Sequence, residues 1–120
     1  MRNVLVVGGS AVVQRMSRVL GVLGFRRMQT RSARMAVALV RELPFHAVVL
    51  DLGAIPDALD GLVEALHRLQ PTALLLGVGE IAGEAGGLDV VVPLGAPIPM
   101  WGRALGVAAT RRREALDQPE

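Results

Sequence analysis

The sequence predicts a single α/β domain built on a parallel sheet covered on both faces. Short aliphatic runs alternate with amphipathic helical stretches along the chain, and that alternation implies right-handed crossovers between parallel strands. The runs themselves, VLVV at 4–7 and AVVL at 47–50, show no polar alternation, as expected for strands buried on both faces. At 120 residues the chain can form one hydrophobic core without disulfides or a structural metal.

Val4–Val7 reads as the first strand, ending at Gly8-Gly9-Ser10. Ser10 is a candidate N-cap, and Val12, Val13, Met16, Val19, Leu20 and Leu23 recur at helical spacing up to Gly24. Phe25–Thr30 is a short polar strand that suits a sheet edge. Ser32 opens a second helix, which runs through Met35 and Leu39 to Leu43 and stops before Pro44. Phe45–Leu50 is a buried third strand ending at Asp51. A loop over 53–60 leads into a third helix with Leu62, Val63, Leu66 and Leu69, closed by Gln70-Pro71. Thr72–Leu76 reads as strand four and Val90–Val92 as strand five. The last helix spans about Met100 to Leu116, and residues 117–120 are expected to fray.

Composition narrows the function classes. Apolar residues make up 52% of the chain and aromatics only 2%, so the core is aliphatic. No cysteine is present, which excludes disulfides, thiolate metal sites and cysteine nucleophiles. No apolar run reaches the roughly 18–20 residues of a membrane span, and the interrupted N-terminal run does not read as a signal peptide. The expectation is a cytoplasmic protein that does not engage membranes. All 13 basic residues are arginine, and the formal net charge is only +2. Arg103, Arg111, Arg112 and Arg113 read as a solvated helix face. Arg26, Arg27, Arg31, Arg34 and Arg41 form a second basic region that suits an acidic partner. With so few aromatic side chains to stack bases, a nucleic-acid surface is not expected. His46 and His67 are isolated, with no spacing for a metal or a catalytic triad. No enzyme and no cofactor are expected.

In parallel α/β sheets ligands bind beyond the carboxyl ends of the strands. Here those tips are Gly8-Gly9, Asp51, Gly77-Val78 and Val92-Pro93. The stretches NVLVVGGS, AVVLDL and VVVPL, at these spacings, resemble the receiver domain of bacterial response regulators over residues 1–116. The resemblance implies a doubly wound five-stranded sheet of order 2-1-3-4-5. It also implies a phosphorylation site made of an acidic pair for Mg²⁺, an acceptor aspartate, a Ser or Thr, and a Lys before Pro. Asp51 matches the acceptor. The acidic pair falls on Gly8 and Gly9, the Ser/Thr on Gly77, and the Lys on Val92 before Pro93. Because the chain contains no lysine, no shift of alignment restores that cation. Pro56 and Asp60-Gly61 resemble the loop residues of the family, at longer distances.

Mg²⁺ requires near-octahedral oxygen coordination, and phosphoryl transfer needs the metal and a cation to balance its charge. Neither requirement is met here, so Mg²⁺ is not expected to bind. Asp51 is expected instead to accept backbone N–H bonds from the turn at Gly9 or Ser10. A Gly-Gly turn before a helix can also cradle a phosphate, although the full dinucleotide fingerprint is missing.

From Gly77 through Asp89 there are five glycines, each costing about 1 kcal/mol in a helix interior. A fourth helix of the implied fold is therefore expected to be shortened or lost. Leu74, Leu76, Val90 and Val92 are the residues expected on the face so uncovered, unless Ile81, Leu88, Leu94 or Ile98 folds back over it. A partner face is expected there, formed by Leu74, Leu76, Val90, Met100, Trp101, Arg103 and Leu105. The function expected is a phosphorylation-independent interaction module in bacterial signalling that binds a protein or a second copy of itself. The alternative is a small-ligand or nucleotide sensor using the emptied cleft.

Overall fold

A computed structural model describes residues 2–54, 59–79 and 87–117. The elements run β1 (Asn3–Val7), α1 (Ser10–Val22), β2 (Arg26–Thr30), α2 (Ala33–Glu42), β3 (Ala47–Asp51), α3 (Leu59–Leu69), β4 (Leu74–Val78), β5 (Val90–Val92) and α4 (Ile98–Asp117). All strand pairings are parallel, in the order β2-β1-β3-β4-β5.

Alternation along the strands divides the core in two. Val4, Val6, Val49 and Leu76 pack beneath α1 and α4 with Met16 and Trp101. Leu5, Val7, Leu50 and Leu75 pack beneath α2 and α3 with Val40 and Leu66. Gln70 ties the second layer together at the amino end of the sheet. Its side-chain amide donates to the carbonyls of Val40 and Leu43, and its oxygen accepts from Phe45 N at 2.8 Å.

Several local boundaries differ from the sequence reading, among them the starts of β3 at Ala47 and of α4 at Ile98. Gly9, not Ser10, is the N-cap of α1, and the Ser10 hydroxyl instead accepts from Arg31 at 2.8 Å. Strand β4 begins and ends two residues later than expected, because the turn after α3 consumes Pro71 to Ala73, with Ala73 N donating to Gln70 O. Helix α4 includes Asp117, and residues 118–120 lie outside the described residues.

Four helices are described, and among the described residues none stands between β4 and β5. Pro56, Ile81 and the rest of 80–86 lie outside them. The face expected to be uncovered is, however, covered. Leu74, Leu76 and Val92 are buried beneath α1 and α4, and Val90 packs against the same cluster, as do Leu94 and Ile98. The chain leaving β5 returns as α4 over this face and covers it. Leu75, Gly77 and Val91 point to the opposite side, where Leu75 is fully buried and Leu88 packs with Val91 on the second core.

A polar clasp joins the two layers at this edge of the sheet. Asp89, just before β5, accepts from Leu75 N at 2.8 Å and pairs with Arg112 of α4 at 3.0 Å. A second nitrogen of that guanidinium lies 2.9 Å from His67 Nδ1, while His67 Nε2 lies 2.7 Å from Gly87 O. His67 is therefore not isolated, and Arg112 is not on a solvated face: it is 9% exposed. Gly87 has φ +79°, and a Cβ there would come within 2.5 Å of Val63, so glycine lets the chain press against α3.

Candidate functional site

The sheet register sets the carboxyl-end site in a single row. Asp51 pairs with Val78, and Val78 pairs with Val92. One step beyond the Val7–Leu50 pair, Gly8 faces Asp51 from the other side. In-register residues of a parallel sheet project to the same face, so the row reads Gly8, Asp51, Val78, Val92. The position implied for Ser or Thr is thus Val78 rather than Gly77, a consequence of β4 ending two residues later than the sequence suggested. Valine has no hydroxyl either, so the chemistry missing from the row is unchanged.

Each neighbour of Asp51 in this row is apolar. Val78 and Val92 are 1% and 2% exposed and belong to the core beneath α1 and α4. On the other side, a Cβ built on Gly8 would lie 2.3 Å from Asp51 Cβ and 2.9 Å from its Oδ2. The β1 tip therefore admits only hydrogen at this position, and Asp51 leans over it. Gly77 faces the opposite layer, where a Cβ would meet Leu52 Cδ1 at 2.9 Å and Leu88 Cδ1 at 3.0 Å. Pro93 is exposed and its carbonyl accepts from Ala96 N at 3.1 Å, in the turn before α4.

The Asp51 carboxylate is held by backbone. Its Oδ2 accepts from Gly9 N at 3.0 Å, the hydrogen bond anticipated from the sequence, and its Oδ1 accepts from Gly53 N at 3.2 Å. These bonds tie the β1–α1 turn to the segment leaving β3. Charge-assisted bonds to N–H groups are among the stronger hydrogen bonds in proteins. Among the described residues, no group of three or more His, Cys, Asp or Glu side chains converges as a metal site. His46 lies at the far end of β3, stacked on Phe25 with ring centroids 5.5 Å apart. Burial, and then the nearby Arg2 charge, hold its imidazole below the usual histidine range.

The residues expected to form a partner face are divided by the fold. Leu74, Leu76 and Trp101 lie in the core, at 4%, 0% and 1% exposure, and cannot meet a partner directly. Trp101 is held there with its indole N–H buried and unpaired among the described residues. Val90 and Leu105 are half-buried, whereas Met100 and Arg103 are exposed. No helix among the described residues is long and apolar enough to cross a membrane.

No protein-family model matches the chain, and no curated protein matches it. Solved structures do. A response regulator from Burkholderia pseudomallei, with a phosphorylated aspartic acid, a calcium ion and citrate, is 25% identical with a TM-score of 0.75. That match covers 99% of this chain and 76% of that one. A response-regulator receiver domain protein from Methanospirillum hungatei superposes with a TM-score of 0.79 at 15% identity, covering 96% of this chain and 98% of that one. A response regulator from Thermotoga maritima gives 0.76 at 13% identity, covering 92% and 98% respectively. The chain has the fold of a response-regulator receiver domain.

Proposed function

We propose that this receiver fold serves as an interaction module in signalling that operates without phosphorylation. The observation that carries the reading is the row Gly8–Asp51–Val78–Val92, in which one carboxylate stands among two buried valines and a hydrogen. Phosphoryl transfer to Asp51 would place charge beside those side chains, with no lysine anywhere in the chain and, among the described residues, no group of acidic side chains converging to hold a metal. A phosphate on Asp51 would also compete with the bonds from Gly9 and Gly53 that position the β1 and β3 tips. Mg²⁺ has no role in this reading, and the domain performs no catalysis of its own.

Incubation with acetyl phosphate and Mg²⁺, followed by intact-mass analysis, is expected to show no phosphate adduct. An adduct that forms on the wild type and disappears in Asp51→Ala would overturn the proposal.

The partner is a protein or a second copy of this chain. Its contact falls on the outer surface of α4, where Met100, Arg103 and Val107 recur at helical spacing and are exposed. That stripe replaces the buried Leu74, Leu76 and Trp101 as the accessible part of the expected face. In its homodimeric form the reading predicts a light-scattering mass that rises to twice the chain mass with concentration and falls back in Met100→Glu. A strict monomer throughout would leave a different protein as the partner.

A further inference from the structure

Strand β2 lies at the edge of the sheet, and its α1-facing positions are Arg27 and Gln29, followed by Arg31 just past its end. The helix stripe opposite them is Ser10, Gln14 and Ser17, at positions i, i+4 and i+7. A helix laid on a sheet normally buries aliphatic residues from both sides, as the rest of α1 does with Val12, Met16, Val19 and Leu20. Here the side chains that face each other are mostly polar, with Val13 the one apolar side chain among them, and between them lies a groove of about 670 Å³ that reaches Gly8. That volume is within the range of small-molecule sites, roughly 300–1,000 Å³.

The charge of this cavity is one-sided. Among the described residues no carboxylate lines it, and both of its arginines bond only neutral groups. Arg31 Nη2 donates to Ser10 Oγ at 2.8 Å, and Arg27 Nη1 donates to Gln29 Oε1 at 2.5 Å. Guanidinium groups so placed remain free to fork onto phosphate oxygens. At the Arg31 end α1 begins, with no acidic residue in its first turn and no side-chain cap, which adds to the positive potential there. Arg27 and Arg31 are four residues apart along the chain, about 13 Å in an extended strand. An inorganic anion at one end would leave the other arginine and the Gln29 amide unused. A ligand that engages both carries an anionic head and an extended polar body.

We propose that the groove between α1 and β2 binds a mononucleotide. Its phosphate sits against Arg31 and Ser10, and its base lies along Gln29 and Arg27, where the amide supplies both a donor and an acceptor to a base edge. The site reaches the β1 tip at Gly8 but is not lined by Asp51, and it does not depend on what α4 contacts.

The test is titration of the ¹⁵N-labelled chain with AMP, with GMP and with inorganic phosphate as separate probes. Expected are saturable amide shifts confined to Ser10, Ser17, Gln29, Arg31 and their neighbours, with at least one nucleotide binding more tightly than phosphate. Arg31→Gln should weaken that binding about tenfold or more, the usual effect of losing a charged hydrogen bond, while Arg68→Gln on α3 should leave it unchanged. Arg27 and Arg31 are exposed, so an unchanged amide spectrum outside the groove verifies that the variants fold. No saturable shift with either nucleotide overturns the proposal. So does phosphate binding as tightly as both nucleotides, or an equal loss in Arg68→Gln.

Discussion

Gly8→Ala is expected to destabilise the domain by about 3 kcal/mol, at the upper end of overpacking effects. The added carbon would stand 2.3 Å from Asp51 Cβ, and neither atom can escape by changing rotamer because both are fixed to the backbone. The strands must separate, in a region where Val7, Leu50 and Val78 are almost wholly buried. Urea unfolding measures the loss. The cause is isolated by combining the change with Asp51→Gly, which removes the carbon on the other side of the clash. The two substitutions should couple by about 1–3 kcal/mol; strict additivity would show that the contact is not the source. The same geometry predicts that Gly8→Asp, which would add one acidic residue at the tip, lowers stability at least as much and creates no metal site. Glycine at position 8 and the close approach of Asp51 to β1 are therefore one structural fact.

Asp89→Asn is expected to cost about 3–5 kcal/mol, the typical effect of leaving one member of a buried ion pair without its partner. The Asp89 and Arg112 side chains are 9% and 11% exposed. The asparagine oxygen can still accept from Leu75 N, so the charge is the main quantity removed. Adding Arg112→Met should recover most of the loss, because no charge is then left buried. Chemical denaturation of the two variants decides the matter, and a single variant as stable as wild type would mean that the clasp is solvated. Arg112 and His67 bring α4 and α3 together around the sheet edge next to the short β5, whose entry strand segment carries Asp89.

Much of the fold was legible in the sequence because it rests on local pattern. Aliphatic runs bounded by glycine, proline and helical stretches located all nine elements, and the polar character of 26–30 placed β2 at an edge. Asp51 and its bond to the Gly9 turn were also legible, since a carboxylate at a strand end opposite free N–H groups has few other partners. The clasp was not. Asp89 sits among glycines, His67 on a helix and Arg112 in a run of three arginines, and nothing local marks one arginine of three as the one that turns inward. The polar groove was hidden in the same way, because nothing local in Ser10, Gln14 and Ser17 tells that β2 is laid opposite them.

The sequence by itself determined that the site row would hold no lysine, since the chain has none however it is arranged. It also determined the alternation of strands and helices, which follows from hydrophobic period. Only the tertiary structure decided which residues share a face. A strand boundary moved by two residues by the Pro71–Ala73 turn exchanged Gly77 for Val78 in the row. The return of α4 covered the face that carries Leu74 and Leu76. In a pleated strand each step reverses the direction of the side chain, so pairing register decides what periodicity leaves open.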